Sequence, residues 1–340
     1  MSISIAFFST KAYERHAFEM INTQSPFGFP IKFFAEILCK GTVALAKGCE
    51  VVCAFTSDLI DADVVQQLYR NGTRLLAMRC TGFNNVDLQA AAGKIQVVRA
   101  TAYSPESIAE YALGLMLMLN RGYLQTDQRV HKGDFVLPNT PGNTLSGKTI
   151  GVVGTGSIGR AMVHLLSGFD ATILAYDVFQ DADFAKTFPV TYTTFEHLLE
   201  ASDIITLHCP LTADNRHMIH HASIARMKRG VCLVNTARGG LIDTDVLIEG
   251  LQQGQIGAAA LDVYENEQNC FWQDTSRTID DLRLQQLLSM PTVFISPHQA
   301  FFTHEALKRM ATITFESIQA YIQHEPLQHE VKAEGITPHS

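Results

Sequence analysis

Apolar residues along this chain come in short unbroken runs separated by polar, helix-patterned stretches, and that rhythm predicts the fold. Runs at 3–9, 31–34, 51–55, 75–80 and 97–100 read as strands, with helices at 11–21, 41–47, 63–70 and 87–92 between them. A strand that is apolar at consecutive positions has both faces covered, as in a parallel sheet flanked by helices. The rhythm repeats at greater length in TIGVVG, TILAYD, DIITLHC, VCLVNTA, GAAALDVY and TVFISP. The prediction is an α/β chain of two doubly wound parallel-sheet units in series. Ser104 and Pro105 open a long helical stretch to about residue 120, a cap followed by proline at the first helical position. A last helical pattern, 303–321, comes after the second set of strands and is expected to cross back onto the first unit. The expected domains are therefore 1–101 plus 299–340, discontinuous, and 102–298, with a ligand cleft between them.

Composition narrows the class. The 340 residues, 46% apolar and 18% charged, are enough for two ordinary cores. A net charge of −8 without any basic run argues against nucleic-acid partners. The most apolar window, YALGLMLMLN at 111–120, is too short to span a bilayer. It predicts a helix in a core or subunit interface, so no membrane partner is expected and a homodimer or homotetramer is. MSISIAFFSTK lacks the basic-then-apolar pattern of a secretory signal. Seven scattered cysteines without paired ligand spacing predict free thiols in a reducing cytoplasm and no metal site.

Chemistry enters with TIGVVGTGSIGR. Gly154, Gly156 and Gly159 form a G-x-G-x-x-G placed directly after a strand and at the start of a helix. There the first glycine permits a tight turn, the second lets a pyrophosphate approach the backbone, and the third lets helix and strand pack closely. The helix start offers unpaired N–H groups to the phosphates. Asp177 ends the next strand, 23 residues after Gly154. A carboxylate there binds the ribose 2′-hydroxyl and repels a 2′-phosphate, and residues 178–180 contain no arginine. The expected cofactor is NAD rather than NADP.

Three later strands end in charge. Arg238 follows VCLVNTA, Asp262, Glu265 and Glu267 follow GAAAL, and His298 follows TVFISP. Carboxyl ends of parallel strands are where open α/β sheets bind ligands. A guanidinium fork suits a carboxylate substrate, and an imidazole beside an acid suits proton transfer near neutral pH. Each also has a plainer reading: Arg238 in a structural ion pair, His298 in a turn. RCTGFNNVD, containing Thr81 and Gly82, either grips a carboxylate through its N–H groups or is an ordinary turn. Tyr103, Phe301 and Phe302 either crowd the substrate or belong to the core. His131, His220 and His221 receive no role.

FFSTKAYE, RCTGFNNVDL, AYSPESIAEYALGLML, GVVGTGSIGRAM, LHCPLTADN, LVNTARGGLID, ALDVYENE and SPHQAFFT, taken in order, make the chain similar to the NAD-dependent D-2-hydroxyacid dehydrogenase family, in its fermentative lactate branch. The resemblance implies a flavodoxin-like substrate domain and a Rossmann cofactor domain. It implies that Arg238 binds and polarises a 2-keto acid, that Glu267 supports His298, and that His298 donates the proton in reduction. Thr81, Gly82 and Tyr103 would face the substrate. Ser157, Ile158, Cys209, Pro210, Asn215, Asn235, Thr236, Ala237 and Asp262 would face the cofactor, with Asp262 at the nicotinamide end and Cys209–Pro210 near the adenosine. The 104–120 helix would join a dimer contact. A long 269–290 stretch matches the lactate branch. The implied activity is reversible reduction of pyruvate to D-lactate. The alternatives are a bulkier keto acid or hydroxypyruvate as substrate, or a non-enzymatic NAD(H)-sensing scaffold.

Overall fold

Runs of apolar residues need cover on both sides, and the observed sheets supply it. A computed structural model describes residues 3–24, 26–101, 103–139, 141–271 and 278–333. They fall into two compact units, one running to Ser104 and resuming at Phe302, the other Pro105–Phe301.

The first unit contains β1 (Ile5–Phe7), β2 (Ile31–Phe33), β3 (Val51–Ala54), β4 (Leu75–Met78) and β5 (Gln96–Arg99), all parallel, in the order β2-β1-β3-β4-β5. This is the flavodoxin-like order. β1, β3 and β4 are buried at every position. Helix His304–Ile322 packs against helix Ala12–Thr23, with the Phe18 and Phe315 rings edge-on at 5.4 Å. The outer edge of β5 is paired: Val331 N–H donates to the Val97 carbonyl (2.8 Å) and Arg99 N–H to the His329 carbonyl (3.1 Å). No bare ladder is left there to recruit another strand. Beneath the β1 and β4 ends lies a buried ion pair, Arg79 Nε to Glu14 Oε1 at 2.8 Å, with the guanidinium stacked over Phe7 and Phe55.

The second unit contains β6 (Thr149–Val153), β7 (Thr172–Tyr176), β8 (Val190–Tyr192), β9 (Ile204–Leu207), β10 (Val231–Asn235), β11 (Ile256–Leu261) and β12 (Val293–Ile295), all parallel, ordered β12-β11-β10-β9-β6-β7-β8. Alternate strand residues feed two cores. Leu207, Leu233 and Leu261 face helices Phe195–Ala201, Thr244–Gln252 and Leu282–Ser289. Val152, Val234 and Ala260 face helices Pro105–Arg121 and Ser157–Leu166. Aspartates and threonines cap many helices by accepting from the first-turn N–H groups, as Asp243 and Asp281 do. Among the described residues no helix is long and apolar enough to cross a membrane.

Three elements differ from the sequence pattern. The 41–47 helix is only a 3₁₀ turn, Val43–Ala46, bounded by Gly41 and Gly48. β8 is a three-residue edge strand that the pattern did not mark. Helix Tyr123–Val130 buries none of its residues, so it has no apolar face to reveal it.

Candidate active site

Pairing in the second sheet sets Tyr176, Val153, Leu207, Asn235, Leu261 and Ile295 in one row across six strands. Each strand stops there or one residue beyond, so the loops leave the sheet along a single edge. Those loops carry Gly154, Asp177, Cys209, Arg238, Glu267 and His298. The strand order reverses direction between β6 and β9, the switch point at which open sheets hold ligands.

Gly154 has φ +92°, and a Cβ on it would lie 2.7 Å from Cys209 N. A Cβ on Gly159 would lie 1.9 Å from the Gly154 carbonyl oxygen. A Cβ on Gly156, by contrast, would meet nothing within 4 Å, leaving open space above the start of helix Ser157–Leu166. Asp177 is pinned beside this turn: its carboxylate accepts from Thr155 N (2.5 Å), Thr155 Oγ1 (3.0 Å) and Phe179 N (2.9 Å). Asn215 closes the loop after β9 by donating to the Pro210 carbonyl (2.7 Å) and accepting from Thr212 N (2.7 Å). Burial pushes the Cys209 thiol up to about 12, so it stays protonated at neutral pH and is no nucleophile. Thr236 is buried, and its Oγ1 has no hydrogen-bond partner among the described residues.

The loop after β10 is shaped by Asn235, fully buried, which accepts from Ala237 N (3.0 Å) and donates to the Arg238 carbonyl (2.9 Å). Arg238 is half-buried and donates to the Ala237 carbonyl. No carboxylate among the described residues forms an ion pair with it. After β11, Glu267 opens a 3₁₀ turn; its Oε1 accepts from His298 Nδ1 at 3.1 Å and its Oε2 from Tyr264 N at 3.3 Å. Tyr264 Oη in turn donates to Asp281 (2.8 Å). Burial works to raise the Asp281 carboxyl, but hydrogen bonds led by Tyr264 outweigh it and hold the group below its usual range.

His298 itself sits at φ +55°, the left-handed region that a non-glycine residue occupies at a cost of about 1–3 kcal/mol. Asp262 pins this backbone in place. Fully buried, it accepts from Ser296 Oγ (2.6 Å), Gln299 N (2.9 Å) and Ala300 N (2.9 Å), bracketing the histidine. Burial moves the Asp262 carboxyl upward despite those bonds. The strained turn, its clamp and the Glu267 contact fix the histidine on the same sheet edge from which the Arg238 loop leaves.

Residues 113–300 match the family model for the NAD-binding domain of D-isomer-specific 2-hydroxyacid dehydrogenases. The chain is 43% identical over 320 residues to 2-hydroxyacid dehydrogenase homolog 1 of Schizosaccharomyces pombe, covering 93% of this chain and 96% of that one. It is 41% identical over 318 residues to the D-lactate dehydrogenase of Escherichia coli, with the same coverage. The chain belongs to this dehydrogenase family. The solved apo-structure of the E. coli enzyme matches with a TM-score of 0.88 at 39% identity, over 97% of this chain and all of that one. The pyruvate reductase of Chlamydomonas reinhardtii matches with a TM-score of 0.90 at 38% identity, over 96% and 98%.

The dehydrogenase uses NAD, and the residues at the sheet edge fit it. The space above Gly156 admits a pyrophosphate, Asp177 keeps one acceptor position on Oδ1 for a ribose hydroxyl, and the Thr236 hydroxyl, without a partner among the described residues, is available to a polar group. Asp262 retains one acceptor position beyond its three bonds.

Thr81, Gly82 and Tyr103 belong to the first unit. Thr81 Oγ1 donates to the Ala100 carbonyl (3.2 Å), Arg99 donates to the Thr81 carbonyl (3.1 Å), and the Cys80 thiol donates to the Gly82 carbonyl (3.2 Å), which fixes the turn after β4. Tyr103 is half-buried, and Phe301, at the end of the second unit, is buried. Of the long 269–290 stretch, 272–277 lie outside the described residues. His220, given no role from sequence, caps helix His221–Arg226 by accepting from Ala222 N at 3.1 Å. Asn235, expected to line the cofactor, also shapes its own loop, a role not foreseen, and His217 went unassigned. For Asn235 a signal existed, an amide side chain closing an otherwise apolar strand; for His217 none did.

Proposed function

We propose that this dehydrogenase reversibly reduces pyruvate to D-lactate, with Arg238, Glu267 and His298 carrying the reaction. The observation behind this reading is a strand-end guanidinium, without a carboxylate partner among the described residues, on the sheet edge that also carries an acid-paired histidine. Arg238 binds the keto-acid carboxylate through two parallel N–H donors and draws the carbonyl into place. Bound NADH supplies the hydride to the keto carbon. As the carbonyl electrons move to oxygen, His298 gives that oxygen the proton from Nε2 and becomes neutral; in lactate oxidation it takes the proton back. Glu267 takes the hydrogen bond from Nδ1 and so orients the ring, leaving Nε2 to face the keto oxygen. Asp262 holds the histidine turn and lies at the nicotinamide end, and Thr81, Gly82 and Tyr103 contact the keto acid. The small keto acid and the D configuration follow the lactate-branch resemblance. Exposed Phe135, Val136 and Leu137, following a helix that buries no residue, support a homodimer or homotetramer.

The test is NADH oxidation with pyruvate, hydroxypyruvate and a branched keto acid, for the natural chain and for Arg238→Gln. Pyruvate is expected to give the highest kcat/KM. The variant should lose about 10²–10³-fold in kcat/KM, the worth of a lost charged hydrogen-bonding partner, with NADH Kd within about twofold. A variant that loses NADH affinity to the same degree, or none of its activity, defeats the assignment.

A further inference from the structure

The segment that presents Glu267 to one histidine presents Glu265 to another. Glu265 is almost buried, with a side-chain exposure of 11%. Its Oε1 accepts from His217 Nε2 (2.6 Å) and Arg216 Nη2 (2.9 Å), and its Oε2 from Thr244 Oγ1 (3.0 Å). His217, like His298, is held in left-handed backbone, at φ +54°. Its N–H donates to the Gly240 carbonyl (2.8 Å), and Asp243 lies 3.8 Å from its Nδ1. One carboxylate thus ties together the loops after β9, β10 and β11. Those loops also touch through backbone: a Cβ on Gly239 would lie 2.1 Å from the Tyr264 carbonyl carbon. Arg238 directly precedes that contact, and Glu267 follows Glu265 by two residues.

We propose that Glu265, together with His217, is a positioning pair that sets Arg238 and Glu267 in register with each other without touching the substrate. This rests on the roles given above to Arg238, Glu267 and His298. The three donors arrive from two separate loops, and a carboxylate is the one side chain able to accept all three at once in so small a volume. Arg216 and His217 keep partial access to water, so releasing them loosens the loops without leaving a buried charge. The cost therefore falls on geometry, where a displacement of about 1 Å reduces turnover by about 100-fold.

Glu265→Ala, Glu265→Gln, His217→Ala and the Glu265→Ala/His217→Ala double variant separate this role from a general structural one. The readouts are kcat and KM for pyruvate, NADH Kd by fluorescence without keto acid, amide exchange over 238–244, and the melting temperature. Glu265→Ala is expected to lower kcat by about 10–100-fold, to raise exchange over 238–244, and to leave NADH Kd within about twofold. Glu265→Gln should recover most of kcat, since its carbonyl still accepts from Arg216 and His217 while its amide donates to Thr244. The double variant should be no slower than Glu265→Ala alone. Unchanged kcat and exchange in Glu265→Ala would overturn the proposal. So would a loss of melting temperature and NADH affinity in step with kcat that Glu265→Gln fails to restore. Arg238→Gln and His298→Asn in the same assays keep the two readings apart. If they cut turnover while Glu265→Ala leaves it unchanged, the positioning role alone falls; if they turn over normally, the active-site reading falls first.

Discussion

His208 shows how burial sets the state of a titrating group. It stands at the end of β9, nearly buried, with Nε2 2.9 Å from Thr206 Oγ1 and Nδ1 without a partner among the described residues. Loss of solvent lowers its pKa to about 4, so the ring is neutral in the folded chain. Unfolded, the same ring takes a proton at about 6.5. A depressed folded value means stability is complete above about 6.5 and is lost as pH falls toward 4. Urea unfolding at pH 7.5 and 5 is expected to show a loss of about 2 kcal/mol beyond that of a His208→Gln variant. Equal pH slopes would show that the ring is not desolvated. The residues proposed to carry the chemistry were readable because charge at the end of an apolar strand is anomalous, as at Arg238 and His298. The residues that aim them were not. Asp262 reads as a ligand group in sequence and acts structurally as a clamp, and His217 owes its place to a backbone angle that no pattern of residue types records.

Among elements, the glycine-rich turn and the helix behind it make the sharpest division of labour. Gly159 is needed for the fold, because its Cβ would overlap the Gly154 carbonyl, whereas Gly156 faces open space. Gly156→Ala should therefore melt within about 2 °C of the natural chain yet bind NADH at least about tenfold more weakly, and Gly159→Ala should lose both properties. Differential scanning fluorimetry and NADH titration check the pair; equal behaviour of the two variants contradicts it. The same division explains what the sequence disclosed. Central strands such as β6 and β10 are apolar at successive positions because both faces are covered, so they stood out. β8, with Val190 buried, Thr191 exposed and Tyr192 half-buried, is an edge strand too short to carry a period. Residues 43–46 follow a local bond from Cys39 N to Thr42 Oγ1 and stop at one turn, where an apolar stretch between glycines looked like a longer helix.

At the level of the whole chain, each unit has its own core and its own vulnerable point. In the first it is Arg79, wholly buried, with Nη1 lacking a partner among the described residues and two other nitrogens committed to Glu14. Burial works against its charge, but Glu14 more than compensates and keeps the guanidinium protonated. Glu14→Ala removes the compensating charge, which costs about 3–5 kcal/mol for a buried pair. The expected result is an early unfolding transition by circular dichroism, while NADH affinity, which belongs to the other unit, stays within about twofold. A single unshifted transition would count against a structural role for the pair.

The return of helix His304–Ile322 and residues 329–331 to the first sheet has a temporal meaning. The nascent chain emits β1 to β5 before the inserted unit, but the helix that covers Phe18 and the segment that closes β5 emerge after it. Roughly 200 residues separate them, which is about 10–40 s of translation at ordinary rates. During that interval the inserted unit is itself being made, while its predecessor waits with an apolar face and an open edge still uncovered.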